Sequence, residues 1–210
     1  MELRLIDAIG PFFRGIKRRR LNWSKIPFHD LPVGSDAGDH WEDIRKGLND
    51  FATEVLAAGF NAVTLDDVAH LTDHPWYENE VRERIGYFSD RFEELIDDLL
   101  QRELRVYVTS DVVTMTKAIS RKTKGCREKQ REFYFEILER FFVRFPGDEG
   151  VILRVGESDG LDVHDDLRSE LHLRSPKEGN GFLKELLPRM EAAGKTVILR
   201  TWTVGAYRLG

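Results

Sequence analysis

The sequence has almost no cysteine and no long apolar run. Cys126 is the single cysteine among 210 residues, which excludes an intrachain disulfide and a metal cluster built on several thiolates. No window approaches a membrane span, and the N-terminal stretch MELRLIDAIG carries charges where a signal peptide needs apolar residues. These features predict a cytoplasmic chain that does not enter a membrane.

Charge of one sign is not in large excess either. The formal net charge is -5, from 32 basic and 37 acidic residues, which argues against a nucleic-acid partner. The one basic tract, residues 14–20, is either a solvated loop or a contact for a phosphate or an acidic sugar. Hydrophobic residues make up 41% and charged residues 33%, so we expect one globular domain over residues 1–210.

Short apolar stretches alternate with longer amphipathic ones. Strands are predicted at residues 3–9, 62–65, 105–109, 151–155 and 197–201. Between them, apolar residues recur at three- and four-residue steps and predict helices: Trp41, Ile44, Leu48, Phe51, Val55 and Leu56; Val81, Ile85, Phe88, Phe92, Leu95, Ile96 and Leu99; Phe133, Ile137, Leu138, Phe141 and Phe142; Phe182, Leu186, Leu187 and Met190. Gly59 and Gly194 are typical of residues that end a helix before a strand. Because this order needs crossover connections, it predicts a parallel α/β sheet of about five βα units, a partial (β/α) barrel.

Polar residues follow the predicted strands at their carboxyl ends. All these ends lie on one side of a parallel sheet, where α/β proteins bind ligands. The candidates for ligand contact there are Asp66, Asp67, Asp111, Glu157, Asp159, Arg200 and Trp202. The loops after the strands are long and those before them are short, which also indicates a functional side.

Glu157 is the first candidate for a general acid. A carboxylate just past a strand leaves the packed core but remains on a rigid element, as proton transfer requires. The alternative is structural: Glu157 caps the next segment or pairs with Arg154 or Arg200. Asp111 and Asp159 are the further catalytic candidates, as carboxylates that could act as a base.

Four segments resemble successive strands of the α-glucuronidases, glycoside hydrolases with a (β/α)8 barrel. They are AAGFNAVTLDDVAHL (57–71), RELRVYVTSDVVTMTKA (102–118), DEGVILRVGESDG (148–160) and AAGKTVILRTWTVG (192–205). The resemblance implies a carbohydrate ligand and implies that Glu157 is the acid that protonates the leaving glycosidic oxygen. It also implies that Arg200 helps to bind an acidic or hydroxylated sugar.

The chain departs from this family at two places. Asp66 and Asp67 stand where the family has two asparagines, so amide donors are replaced by acceptors that would repel a sugar carboxylate unless they are neutralised. Gly156 stands where many barrel glycosidases have an asparagine before the acid. The first departure argues against uronate recognition, and the second means that the Asn-Glu signature of many barrel glycosidases is absent.

Length raises a further question about activity. A complete barrel of eight units needs about 250 residues, and an inverting mechanism needs a second carboxylate roughly 6.5 to 9.5 Å from the acid. Three expectations remain open: the chain is the N-terminal part of a larger barrel, it completes its sheet as a homo-oligomer, or it is no longer such an enzyme. The alternative functions are a sugar-binding or scaffold protein, and an open sheet that binds a small metabolite.

Aromatic residues in the predicted loops provide a second indication of a sugar ligand. Trp23, Trp76, Tyr77 and Trp202 lie in or beside loops that follow strands, either as stacking platforms or as loop anchors. Metal ligation was considered at two histidine pairs. Pro75 interrupts the helix that would pair His70 with His74, and His164 and His172 lie in an acidic segment that is typical of a solvated loop. No metal and no cofactor is predicted.

Overall fold

The computed structural model describes residues 2–16, 25–155, 167–170 and 172–200. Five strands form the main sheet: β1 (Leu5–Asp7), β2 (Ala62–Leu65), β3 (Arg105–Asp111), β5 (Gly150–Arg154) and β7 (Thr196–Arg200). A two-stranded ribbon joins β4 (Thr114–Met115) to β6 (Arg168–Ser169). The helices are α1 (Gly38–Ala57), α2 (Val68–Leu71), α3 (Asn79–Gln101), α4 (Lys117–Thr123), α5 (Arg127–Arg144) and α6 (Pro176–Ala192), with 3-10 turns at Gly10–Phe13 and Ser35–Ala37.

The main sheet is wholly parallel, and its strands lie in the order β1-β2-β3-β5-β7. Each new strand is added on the same side of the previous one, so the order never reverses as it does in a doubly wound sheet. The fold is therefore a five-stranded half-barrel. This confirms the predicted α/β class and the prediction of about five βα units.

The two faces of the sheet differ in composition because side chains alternate along each strand. One face packs against the helices through aliphatic residues such as Val63, Val106, Val108, Val151 and Leu153. The opposite face, called here the inner face, carries a small separate apolar group near the amino ends of the strands: Ala62, Tyr107 and Ile152, with Leu5 and Ile198 packed against them. The inner face becomes polar towards the carboxyl ends.

The predicted helical stripes are buried with few exceptions. All seven predicted apolar residues of α3 are buried, as are Trp41, Ile44, Leu48 and Val55 of α1. Phe51 of α1 and Phe142 of α5 are only partly buried, and Leu56 of α1 and Leu187 of α6 are exposed. Helix amphipathicity therefore predicted which faces contact the sheet, although it overestimated the width of two stripes.

Helix ends follow local sequence chemistry. Gly59 and Gly194 have φ values of +85° and +68° directly after α1 and α6, which confirms their predicted role in turning the chain into the next strand. Ser175 caps α6 by accepting the Glu178 N–H over 3.3 Å, and Pro176 occupies the first helical turn.

Element boundaries differ from the prediction where tertiary contacts decide them. β1 covers three residues instead of seven, because the chain turns into a 3-10 helix at Gly10. β3 continues two residues beyond Thr109 to Asp111, since β5 pairs with it along that extension. In the part of the chain that the structure describes, no helix combines the length and apolar composition needed to cross a lipid bilayer.

Candidate functional site at the carboxyl ends of the strands

Charged residues converge on the inner face at the carboxyl ends of β2, β3 and β5. Asp66 and Asp67 directly follow β2, Asp111 ends β3, and Arg154 ends β5. Asp111 and Arg154 are direct partners in the parallel register, so their side chains point to the same face. Together with Lys25, these residues are called the Arg154 cluster.

Arg154 is the centre of the cluster and contacts three carboxylates. Its Nη2 atom lies 2.5 Å from Asp67 Oδ2 and 3.3 Å from Asp66 Oδ1. Its Nε atom lies 2.5 Å from Asp111 Oδ1. The Arg154 side chain is only 1% exposed, as are those of Asp66 and Asp67. A planar guanidinium suits this position because its donors can serve several carboxylates at once.

Lys25 supplies the second cation from the long segment between β1 and α1. Its ammonium lies 2.6 Å from Asp111 Oδ2 and 3.9 Å from Asp67 Oδ2, and it donates a hydrogen bond of 2.8 Å to Ser169 Oγ. The Ser169 hydroxyl in turn donates to Asp111 Oδ2. Lys25 thus connects the β1–α1 segment to β3 and to the ribbon strand β6.

Asp66 and Asp67 also organise the backbone around them. Asp66 accepts the Ile26 N–H at 2.9 Å and the Thr109 hydroxyl at 3.0 Å. Asp67 caps α2 by accepting the Ala69 N–H at 3.0 Å. These hydrogen bonds hold the β1–α1 segment against the ends of β2 and β3.

The three aspartates differ in pKa. Burial raises the pKa of Asp67 to about 6, and the charges of Asp66 and Asp111 contribute although Arg154 opposes them. For Asp111, burial is outweighed by Arg154, Lys25 and Ser169, which bring its pKa to about 2. Burial of Asp66 is likewise outweighed, by His70, Arg154 and Lys25, so its pKa lies below the usual value. Asp67 is therefore the carboxyl that takes up a proton first as the pH falls.

The same face carries further charges at its two edges. Asp7 of β1 and Arg200 of β7 stand on the inner face by register, and Asp7 accepts the Ile9 N–H at 3.1 Å. Partial loss of solvent around Asp7 raises its pKa. Arg200, a predicted sugar contact, is the register partner of Arg154 and so lies on the same face as the Arg154 cluster.

The predicted site residues separate into three groups. Asp66, Asp67 and Asp111 are brought together as predicted, and Arg200 lies at the end of the neighbouring strand. Glu157, Asp159, Trp23 and Trp202 lie outside the described residues. Trp76 is partly exposed and lines a groove between α4, α5 and the segment that follows α2.

Sequence reasoning gave Arg154 no role except as a partner for Glu157 and did not single out Lys25. The alternation in the strands was the available indication for Arg154. Arg105, Tyr107, Thr109 and Asp111 share one face of β3, and Ile152 and Arg154 share the same face of β5. A cation at that position needs a carboxylate partner when it is buried. No local pattern identifies Lys25, because its near contacts Asp111 and Ser169 lie 86 and 144 positions further along the chain.

The histidines considered for metal binding have separate protein contacts. His70 Nδ1 lies 3.3 Å from Asp66 Oδ2, and its ring stacks on Phe28 with centroids 4.3 Å apart. His74 Nε2 lies 3.2 Å from Glu136 Oε1, and His172 Nδ1 lies 3.2 Å from Gln130 Oε1. Over residues 2–16, 25–155, 167–170 and 172–200, no group of three His, Cys, Asp or Glu residues is arranged to hold a metal ion. His164 lies outside these ranges.

Comparisons with known proteins show no family for this chain. No family model matches the sequence, and no curated protein matches it. Among solved structures, a GH5-4 broad-specificity endoglucanase from Clostridium longisporum is similar, with a TM-score of 0.43 and 14% identity. The match covers 97% of this chain and 55% of that structure, so the chain spans about half its length. Similarity at this level supports no conclusion about chemistry, which is therefore argued from the site itself.

Proposed function

We propose that this chain is a carbohydrate-active protein of the glycoside hydrolase type, with its ligand bound at the carboxyl ends of the strands, above the Arg154 cluster. The observation that carries the proposal is the pairing of Asp66, Asp67 and Asp111 with Arg154 and Lys25. Acidic strand ends would otherwise repel one another and an acidic sugar. Held by two cations, the three aspartates form a rigid polar layer at the carboxyl ends of the strands.

In this proposal the three aspartates position other groups and do not transfer protons to the ligand. They are buried, and their oxygen atoms accept from Arg154, Lys25 and neighbouring backbone N–H groups. Glu157 remains the proposed general acid. It follows Arg154, the centre of the cluster, by three positions in the sequence.

The proposed reaction is hydrolysis of a glycosidic bond. Glu157 gives its proton to the leaving oxygen as the bond to the anomeric carbon breaks. A second carboxylate, proposed as Asp159, takes a proton from the water that adds to that carbon. Arg200 and Trp202 are proposed to bind sugar hydroxyls and to stack on a sugar ring at the end of β7, and Trp23 is proposed as a further stacking residue from the β1–α1 segment.

The test compares hydrolysis of aryl glycosides by the parent chain and by Glu157→Gln. We expect the variant to lose turnover and to retain ligand binding, because an amide preserves shape but cannot donate a proton to the leaving group. Glu170→Gln, which alters an exposed glutamate outside the cluster, is the matched control. Unchanged turnover in Glu157→Gln would remove this residue from the mechanism.

A second candidate is a sugar-binding or scaffold protein that completes its sheet by self-association. The supporting observation is that, in the described part of the chain, β1 and β7 each pair with one neighbour and Leu199 of β7 is exposed. Open strand edges pair readily with another chain. Light scattering over a range of concentrations tests this candidate, and a monomer at every concentration would contradict it.

A further inference from the structure

A groove between α4, α5 and the segment that follows α2 surrounds Trp76 and is called here the Trp76 groove. Its volume is about 530 Å³, and it is lined by Trp76, Lys122, Glu128, Lys129, Glu132, Phe133 and Glu136. The walls come from the segment after β2, from α4, and from the first half of α5. Segments that follow strands lie at the carboxyl ends of the sheet, so this groove opens on the same side as the proposed ligand site.

Trp76 is held in place although its side chain is partly exposed. Its ring stacks on Phe133 with the centroids 5.9 Å apart and the planes at 7°. Its backbone N–H donates to Nδ1 of His74 over 3.1 Å, and the His74 ring stands perpendicular to the indole at 5.3 Å. His74 Nε2 in turn lies 3.2 Å from Glu136 Oε1. The indole is therefore fixed before any ligand arrives, which lowers the entropy cost of binding.

Anchoring the loop does not require Trp76. The next residue, Tyr77, already serves that purpose, since it is 5% exposed and its ring packs edge-on against Phe133. Trp76 itself remains partly exposed beside this buried anchor. Exposed parts of an aromatic ring can bind the apolar C–H faces of sugar rings.

The rest of the groove supplies hydrogen-bonding groups of both kinds. The Lys122 ammonium lies 5.8 Å from the Trp76 ring centroid, on an exposed side chain that can move aside. Lys129 adds a second set of donors, while Glu128 and Glu132 add acceptors, and Glu132 Oε2 also lies 3.7 Å from Arg189 Nη2. Mixed charge of this kind suits neutral hydroxyl groups better than it suits an anion or a cation.

We propose that the Trp76 groove is a carbohydrate subsite, in which one pyranose unit of an oligosaccharide stacks on Trp76 and its hydroxyls bond to Lys122 and Glu132. This rests on the proposed function for its ligand class, because the groove extends the same ligand-binding side of the sheet. The subsite can nevertheless be tested separately from the proposed function, because stacking of a sugar on Trp76 does not require hydrolysis.

The test measures binding of cellohexaose and xylohexaose to the whole chain by isothermal titration calorimetry. Trp76→Ala should weaken the binding of the preferred hexaose about tenfold, since ring stacking contributes on this scale. Trp76→Phe keeps a flat ring and should lose much less. Phe142→Ala removes a partly buried ring from a different groove, between α5 and α6, and should leave the affinity unchanged.

Three results would overturn the subsite: equal affinity in the parent and Trp76→Ala, equal losses in Trp76→Ala and Phe142→Ala, or no binding of either hexaose by the parent. Circular dichroism of each variant checks folding, and Trp76→Phe provides the informative comparison if Trp76→Ala does not fold. Aryl monoglycosides report separately on the proposed function. Hexaose binding without turnover of any aryl glycoside would count against hydrolysis but would support the subsite. Turnover of an aryl glycoside, combined with a hexaose affinity that does not change in Trp76→Ala, would support hydrolysis but overturn the subsite.

Discussion

The Nε atom of Arg154 lies 2.5 Å from Oδ1 of Asp111, and the two residues are direct partners in the β3–β5 register. Parallel pairing therefore places this cation and this anion side by side on the inner face before any loop contributes. Asp66 and Asp67 approach the same guanidinium from the end of β2. The Arg154–Asp111 pair is thus a consequence of strand register, and its removal should affect the sheet as a whole.

Replacing Arg154 should strongly destabilise the fold. In Arg154→Met the buried carboxylates lose their central cation, and breaking a buried ion pair costs about 3–5 kcal/mol of unfolding free energy. The stability of Arg154→Lys should lie between that of the parent and that of Arg154→Met. Lysine keeps the positive charge, but one ammonium cannot contact three carboxylates as a guanidinium does. Urea denaturation monitored by circular dichroism measures the effect. As a control, Arg82→Met breaks a solvent-exposed pair with Asp73 and should change the urea midpoint very little. Similar urea midpoints for Arg154→Met and Arg82→Met would contradict the central role of Arg154.

Asp148→Asn should stabilise the protein increasingly as the pH rises. Burial raises the pKa of Asp148 to about 8, against the opposing effects of the Gly150 N–H and Lys195. Unfolded aspartate ionises near pH 3.8, so between about pH 4 and 8 the unfolded chain releases a proton that the folded chain retains. Asp148 therefore lowers the unfolding free energy progressively as the pH rises over this interval. Asparagine removes that loss and still has a side-chain oxygen that can accept the Gly150 N–H.

The measurement is the difference in unfolding free energy between Asp148→Asn and the parent at several pH values. It should be small near pH 4 and exceed about 1 kcal/mol in favour of the variant by pH 8, because each unit of pKa shift corresponds to about 1.4 kcal/mol. A difference that does not change with pH would show that Asp148 is ionised in the folded protein.

Gly150→Ala should disrupt the pairing of β5 with β7. A Cβ atom at Gly150 would lie 2.0 Å from the backbone oxygen of Thr196, which cannot move without separating the strands. We expect a loss of at least about 2 kcal/mol in unfolding free energy, as for severe overpacking. Gly86→Ala is the matched control, since nothing lies within 4 Å of its added Cβ. In the interior of α3 alanine should stabilise by about 0.5–1 kcal/mol. Thermal denaturation distinguishes the two directions, and a neutral Gly150→Ala would refute the close approach.

His74 should be neutral with its proton on Nε2. A backbone N–H can only donate, so Nδ1 must accept from Trp76, which leaves the proton of the neutral ring on Nε2, 3.2 Å from Glu136 Oε1. Burial outweighs the effect of Glu136 and lowers the pKa of His74. The stabilisation that neutral His74 provides is therefore complete above about pH 6.5. It declines as the pH falls, because the unfolded chain takes up a proton there before the folded chain does. Nitrogen NMR of the imidazole ring identifies the tautomer. A proton on Nδ1 at neutral pH would exclude the hydrogen bond to Trp76.

The sequence alone was sufficient for the order of the five strands of the main sheet and the four long helices between them, the buried stripe of α3, the turns at Gly59 and Gly194, and the gathering of Asp66, Asp67 and Asp111 at one end of the sheet, but not for α2, α4 and the β4–β6 ribbon. These features depend on periodicity and backbone preference over a few residues, and on the geometry of parallel strands, so neighbouring residues carry the information.

Only the tertiary structure decided what those carboxylates contact. Arg154 reaches Asp66 across 88 positions, and Lys25 reaches Ser169 across 144. Electrostatic energy depends on distance in space and on the loss of water around each charge, and neither follows from sequence spacing. The same holds for Trp76, whose accessibility depends on where Phe133 and His74 lie. Local sequence thus determined where the charged and aromatic residues emerge from the fold, and packing between remote segments determined which became buried and paired and which remained open to a ligand.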